Sequence, residues 1–123
     1  MKKILISVLL FTLSFCALAE TAPWTEEEKI WGAIAVTALV ADWGTTRDAT
    51  NHWNEGYYET NPLMGKTPTR QEVDTHFMIW IPLILIVADQ LPREQRKFFL
   101  ATTSIIEVYG AANNMQLGFR IRF

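Results

Sequence analysis

Three long apolar runs, separated by polar segments, divide the chain beyond its N-terminus. These runs cover residues 30–44, 77–91 and 98–112. Within each run, apolar side chains surround most of the helix circumference instead of forming one stripe, a pattern typical of helices buried on several sides or embedded in lipid. It predicts an all-α fold, a small bundle of three membrane helices. The predicted helices cover about 26–49, 70–91 and 93–114, with a loop at 50–69 and a C-terminal tail at 115–123.

Polar residues mark where the predicted helices begin. Thr25 and Glu28, and likewise Thr69 and Glu72, have the spacing of a capping box. In this motif the threonine oxygen accepts from the glutamate amide, and the glutamate carboxylate accepts from the threonine amide. Pro92 suits the first turn of the third helix, where backbone amides have no intrahelical partner. The three helices fit in one domain of ordinary size.

The N-terminus has the composition of a bacterial export signal. Lys2 and Lys3 precede an apolar run at 4–15, and the small residues of the segment at 17–19 suit cleavage before Glu20. We therefore expect residues 1–19 to be a cleaved signal peptide. The alternative is an uncleaved signal anchor that adds a further helix.

The surroundings of the helices are either a bilayer or water, and length and composition together favour a bilayer. Each run has 15 residues, roughly 22 Å of helix, while a full span prefers about 20 residues. Charged flanking side chains can lengthen a short span by reaching toward the interface. Aromatic residues lie near the helix ends, as interfacial aromatics do. These are Trp24, Trp31, Trp43, Trp53, Tyr57 and Tyr58. We expect the inner membrane of a bacterial cell; the alternative is a soluble helical domain in the periplasm.

Two carboxylates lie next to or within apolar runs and need partners. Asp42 follows the first run closely, and Glu107 lies in the middle of the third. A carboxylate at such a position is costly unless it faces the interior and is paired. The available partners are Arg47 and Arg96 as cations and Asn114, which lies on the same helical face as Glu107, as an amide donor. The predicted interhelical polar network comprises Asp42, Thr46, Arg47, Glu59, Asn61, Arg96, Glu107 and Asn114.

The segment YYETNPLMGKTP in the first loop combines a carboxylate and an amide with rigid turn residues. Pro62 restricts its own backbone and favours an extended Asn61, and Gly65 permits a tight turn. Glu59 is thus held near the helix ends, where Arg47 is its predicted bidentate partner. We interpret the loop as a structural clasp between the first two helices.

The motifs DWGTTRD and YYETNPLMG resemble those of small helical membrane proteins of bacteria and phages that have no assigned activity. Those proteins carry D-x-x-x-T-R and E-T-N-P-x-x-G, and the similarity extends from about Trp31 to the end of the chain. The resemblance implies a helical membrane architecture and no enzyme assignment. By position, the matching residues are Asp42, Thr46, Arg47, Glu59, Asn61, Pro62 and Gly65.

The sequence favours a non-enzymatic accessory or interaction protein, whose partners would be the lipid bilayer and another protein or a second copy of the chain. The net charge of −2 offers no basic surface for nucleic acid. No zinc-protease, nucleophile-elbow or phosphate-loop motif occurs, so we expect no catalytic residues, metal or cofactor. The alternative is a membrane hydrolase, or an ion- or proton-binding protein, that uses the carboxylates of Asp42, Glu59 and Glu107.

The C-terminal segment LGFRIRF alternates apolar residues with glycine and arginine. We expect an interfacial tail, with arginines toward lipid phosphates and apolar side chains toward the acyl chains.

Overall fold

The computed structural model describes residues 22–123, which form three long α-helices and one short 3₁₀-helix. The long helices are α1, Glu26–Ala49; α2, Arg70–Gln90; and α3, Arg93–Gln116. The 3₁₀-helix, Trp53–Glu55, lies in the first loop. No strand occurs within residues 22–123, so the predicted all-α class is confirmed for this part of the chain. The predicted signal peptide, 1–19, lies outside the described residues.

Capping boxes begin α1 and α2, as the sequence predicts. The Glu28 amide donates to the Thr25 hydroxyl over 3.2 Å, and the Thr25 amide donates to the Glu28 carboxylate over 2.7 Å. Thr69 and Glu72 form the same pair of hydrogen bonds, also at 3.2 Å and 2.7 Å. Each box satisfies two amides that would otherwise lack partners in the first turn.

α1 and α2 run antiparallel and are tied together near both ends by tryptophan–aspartate hydrogen bonds. At the lower end of the bundle, where α1 begins and α2 ends, Trp24 Nε1 donates to Asp89 over 2.7 Å. At the upper end, where α1 ends and α2 begins, Trp43 Nε1 donates to Asp74 over 2.8 Å. Both indole groups therefore have partners despite their partial burial.

α3 runs parallel to α1 and packs against it more extensively than α2 does. At the lower end Arg96 contacts Glu28, and at the upper end Asn114 contacts Asp42. The buried apolar core between the helices is small, so polar contacts make up much of the contact between the helices. Its members are Ala35, Leu39, Val73, Phe77, Ile84, Ala88 and Leu100.

Large apolar side chains are exposed on the outer faces of all three helices. We call this set the apolar belt: Ile30, Ile34, Val40, Met78, Ile79, Ile86, Phe98, Ile105, Ile106, Val108 and Tyr109. Within residues 22–123, one helix, Arg70–Gln90, is long and apolar enough to cross a membrane by length and composition, and 22% of its apolar window is buried in the bundle. Three helices are thus present, but only one of them has the composition of a candidate span.

The C-terminal tail is anchored on α1 by hydrogen bonds that its alternating pattern does not predict, and its placement at a lipid interface stays a prediction. The Arg122 amide donates to the Gly44 carbonyl over 3.2 Å, and the Arg120 amide donates to the Asp48 carboxylate over 2.8 Å. Ile121 covers Gly44 so closely that a Cβ at position 44 would come within 2.6 Å of its side chain. The absence of a side chain at Gly44 lets the tail reach the backbone of α1.

Candidate functional site

A cavity of about 510 Å³ lies in the upper half of the bundle, between α1, α3 and the loop that carries the ETNP motif. Three carboxyl groups line it: Asp42 from α1, Glu59 from the loop and Glu107 from α3. We call it the carboxylate cavity. The two motifs that the sequence singles out therefore contribute to one site, although 16 residues separate Asp42 from Glu59 in the chain.

Asp42 and Glu107 meet across the interface between α1 and α3. Their carboxyl groups lie close to each other across this interface. The close approach depends on Gly110, because a Cβ at that position would lie 2.9 Å from Asp42 Oδ1.

Asn114 closes the upper end of the cavity and links α3 to α1. Its side-chain nitrogen lies 3.3 Å from Asp42 Oδ1, 3.1 Å from Thr45 Oγ1 and 3.2 Å from Thr46 Oγ1. Both threonines are buried. An amide nitrogen has two hydrogens, so these three acceptors share them. Asp42, Thr46, Glu107 and Asn114, all expected in one network, are adjacent here.

The ETNP loop is held mainly by its own hydrogen bonds. Glu59 Oε1 accepts from the Asn61 amide over 2.7 Å, and Asn61 Oδ1 accepts from the Leu63 amide over 3.0 Å. The Glu59 amide donates to the Lys66 carbonyl over 2.7 Å and closes the loop. Gly65 has φ +81°, a conformation that other residues adopt only at a cost. Pro62 and Asn61 also line the cavity, so this preorganised loop forms one of its walls.

The predicted ion pair between Glu59 and Arg47 is wrong. Arg47 Nε lies 3.2 Å from Asp74 Oδ1 on α2, and its guanidinium lies over the Phe123 ring at 5.6 Å from the centroid. Arg47 follows Asp42 by five residues, which on an α-helix is a rotation of about 140°. Arg47 therefore faces α2 and the tail while Asp42 faces the cavity, and the loop is not a clasp of the predicted kind.

Arg96 lies at the lower end of the bundle, far along the helices from the carboxylate cavity. It has no exposed surface, and its guanidinium donates to Glu28 Oε2 over 3.2 Å and lies over the Trp24 ring at 5.2 Å. It also donates to three carbonyls at the end of α2. These are Ala88 at 2.9 Å, Asp89 at 3.2 Å and Leu91 at 3.2 Å. Arg96 thus joins all three helices.

This arrangement corrects one pairing suggested by the sequence. Arg96 is a partner of Glu28 and not of Asp42. The sequence indicates a capping role for Glu28 but not its second role as the partner of Arg96. Burial alone would raise the pKa of Glu28, but the Thr25 amide and the Arg96 guanidinium together hold that pKa below its ordinary value.

The two histidines lie away from the carboxylate cavity. His52 pairs with Glu55 at 2.9 Å in the first loop, and His76 stacks on Trp80 with ring centroids 5.7 Å apart. Within residues 22–123 no group of three or more His, Cys, Asp or Glu side chains has the arrangement of a metal site. The cavity therefore combines carboxyl groups, amides and apolar walls, and chemically it can bind a cation or exchange a proton.

Comparison of the chain with protein-family models, with curated proteins and with solved structures finds no match.

Proposed function

We propose that this chain is a small exported membrane protein of the bacterial inner membrane, with a non-enzymatic accessory or interaction role. The observation that supports this proposal is the apolar belt. Large apolar side chains are exposed on α1, α2 and α3 alike, and large exposed apolar patches are rare on soluble monomers. A bilayer removes this surface from water without any further protein.

Helix dimensions support the same proposal. On α3 the exposed large apolar side chains extend from Phe98 to Met115, an axial distance of about 26 Å, and the hydrocarbon core of a bilayer is about 30 Å thick. The charge-free segments cover 30–41, 75–88 and 98–106. These segments are shorter than a full span. The Asp42 and Glu107 side chains that end two of them line the cavity, however, so the lipid-facing surface of each helix can continue past its carboxyl group.

The proposed partners are lipid and either another membrane protein or a second copy of the chain. The resemblance of the DWGTTRD and ETNP motifs to small membrane proteins of bacteria and phages agrees with this role. A soluble periplasmic bundle is the competing interpretation, because only α2 has the composition of a candidate span.

A lysine on the belt distinguishes the two interpretations. Ile79 is 59% exposed on α2. In lipid, Ile79→Lys should cost about 2.5–3.5 kcal/mol and reduce accumulation in the membrane. In water the same change should cost about 0.5 kcal/mol or less. Gln71→Lys, in the exposed first turn of the same helix, is the matched control. The measurement is the amount of full-length chain in the membrane pellet after alkaline extraction.

Reporter fusions after residues 60, 93 and 123 complete this test. A membrane bundle of three crossings should give alternating signals along the series, with the wild-type chain retained in the alkaline pellet. Recovery of the chain in the supernatant, together with equal accumulation of Ile79→Lys and Gln71→Lys, would contradict the membrane placement.

A further inference from the structure

A second cavity, of about 290 Å³, lies at the upper end of the bundle beside the carboxylate cavity. The ends of α1 and α3, the first loop and the C-terminal tail border it. Four aromatic side chains line this space: Trp53, Tyr57, Tyr58 and Phe119. We call it the aromatic cavity. Its volume is at the lower end of the range of small-molecule sites, so it suits one small chemical group better than an extended molecule.

Contacts outside the cavity hold three of these rings in place. The Trp53 indole donates to the Pro68 carbonyl over 2.9 Å. Tyr57 packs edge-to-face with Phe119, with ring centroids 5.1 Å apart, and Phe119 is only 5% exposed. Tyr58, in contrast, is 64% exposed at the rim of the cavity. Most of the aromatic wall is therefore formed before a ligand arrives, which lowers the entropic cost of binding.

No cation of residues 22–123 lies over the rings of the aromatic cavity. The cation–π contacts in this part of the chain are Arg47 over Phe123 and Arg96 over Trp24. The one carboxyl group that lines the cavity belongs to Glu59, whose Oε1 accepts from the Asn61 amide of its own loop. Aromatic faces attract cations through the ring quadrupole, and Glu59 places a negative charge beside them.

The aromatic wall restricts the kind of cation that fits. A primary ammonium or guanidinium group carries several N–H donors, and donors turned toward aromatic rings lose the hydrogen bonds that they make with water. A quaternary ammonium group has no N–H donor to leave unsatisfied, and its methyl groups are apolar. Aromatic cages recognise such groups. We infer that the aromatic cavity binds a trimethylammonium group, with Glu59 as its counterion.

Free quaternary amines and the choline head group of a lipid share this chemistry. The cavity lies where α1 and α3 end, which is the level of the lipid head groups if the bundle spans a bilayer. The walls come from the chain alone, however, so the inference does not rest on the proposed function.

Calorimetric titration of the purified chain, in a maltoside detergent that has no ammonium group, tests the site with three small probes. Choline carries the trimethylammonium group. Dimethylbutanol has the same shape, with carbon in place of nitrogen and no charge. Ethanolamine has the charge without the methyl groups. Choline should bind at least about fivefold more tightly than either analogue. Equal binding of choline and dimethylbutanol, or of choline and ethanolamine, would overturn the inference.

Substitutions in the wall test whether choline binds at this place. Trp53→Leu and Tyr58→Leu should each weaken choline binding by about fivefold. Tyr109→Leu, at an exposed tyrosine of α3 outside the aromatic cavity, should leave it unchanged. Glu59→Gln should also weaken binding by about fivefold, while Glu55→Gln, at an exposed carboxylate of the same loop, should not. An equal loss in a variant and its control would contradict the site.

A lysine at the rim provides a test that does not remove an aromatic ring. Thr60 is exposed and lines the cavity, so Thr60→Lys can place its own ammonium group beside Glu59 and repel choline. Thr60→Gln, which is uncharged, should keep most of the affinity. Both Thr60 and Tyr58 are exposed, so their variants keep the inference testable if Trp53→Leu does not fold. Equal choline affinities of Thr60→Lys and Thr60→Gln would overturn it.

Nanodiscs distinguish the two sources of the trimethylammonium group. Phosphatidylcholine and phosphatidylethanolamine are both zwitterionic, but only phosphatidylcholine carries this group. If the lipid head group occupies the aromatic cavity, choline should bind several-fold more weakly in phosphatidylcholine nanodiscs. If the natural ligand is a free quaternary amine, the two affinities should be equal. Absence of choline binding from detergent and from both nanodiscs would reject the site itself, while the alkaline extraction result would stand unaffected.

Discussion

Replacing Arg96 with alanine should cause the largest loss of stability among single substitutions at the polar contacts. The guanidinium is fully buried and connects Glu28 of α1 with the last carbonyls of α2. Removing it would leave a buried carboxylate without its cation, and a helix end without the donors that satisfy its carbonyls.

The expected loss follows from these contacts. Removing one member of a buried ion pair costs about 3–5 kcal/mol, mainly because the other charge stays buried. The carbonyls of Asp89 and Leu91 belong to half-exposed residues, so water can replace part of what they lose. We therefore expect Arg96→Ala to lower the free energy of unfolding by about 4 kcal/mol, a large part of the total of about 5–15 kcal/mol for a typical domain.

The assay is denaturant unfolding of the purified chain, with Arg93→Ala as the matched control. Arg93 is exposed and donates to the Pro23 carbonyl over 3.3 Å, so its removal should cost about 1 kcal/mol or less. Combining Arg96→Ala with Glu28→Gln should cost clearly less than the sum of the single changes. A loss for Arg96→Ala within about 1 kcal/mol of the control, or coupling near zero, would refute the reasoning.

Three further substitutions test other parts of the structure. Asn114→Leu removes the donor shared by Asp42, Thr45 and Thr46 and should lower the free energy of unfolding by about 1–3 kcal/mol; an unchanged unfolding midpoint would contradict this network. Gly65→Ala should cost about 1–2 kcal/mol because φ is +81° there, with a lower melting temperature as the readout. Gly44→Val should displace the tail and expose it to carboxypeptidase; wild-type digestion kinetics would show that the tail is not anchored there. Acidification should remove the contribution of Glu28 to the free energy of unfolding. Because the Glu28 pKa in the folded state lies below its ordinary value of 4.5, this contribution is complete above pH 4.5 and is lost as the pH falls through the folded pKa. Denaturant unfolding at a series of pH values measures the change.

Features that depend on neighbours in the chain could be predicted from the sequence. The capping boxes at Thr25 and Thr69 involve residues three positions apart, so their spacing alone indicates the helix starts. The turn residues Pro62 and Gly65 likewise predict a rigid loop, and its hydrogen bonds do lie within the loop. Glu107 and Asn114 were expected on one face of a helix because they are seven residues apart.

The pairings of charged residues could not be predicted in the same way. Arg47 was expected to meet Glu59, but it contacts Asp74; Arg96 contacts Glu28, which is 68 positions away. Several acids lie near each helix end, and sequence spacing does not say how a helix is rotated about its axis. The Trp24–Asp89 and Trp43–Asp74 hydrogen bonds had no signal in spacing either, since indole and carboxylate come from different helices.

The sequence by itself determined the helical class, the helix starts and the rigidity of the ETNP loop, because helix periodicity, capping and turn chemistry act over a few residues. Only the tertiary structure decided that Asp42, Glu59 and Glu107 line one cavity while Arg47 and Arg96 are engaged elsewhere. That outcome depends on the rotation and approach of α1 and α3, and on Gly110, where the missing side chain leaves room for the Asp42 carboxyl group. Such packing is a property of all three helices together, and no local spacing encodes it.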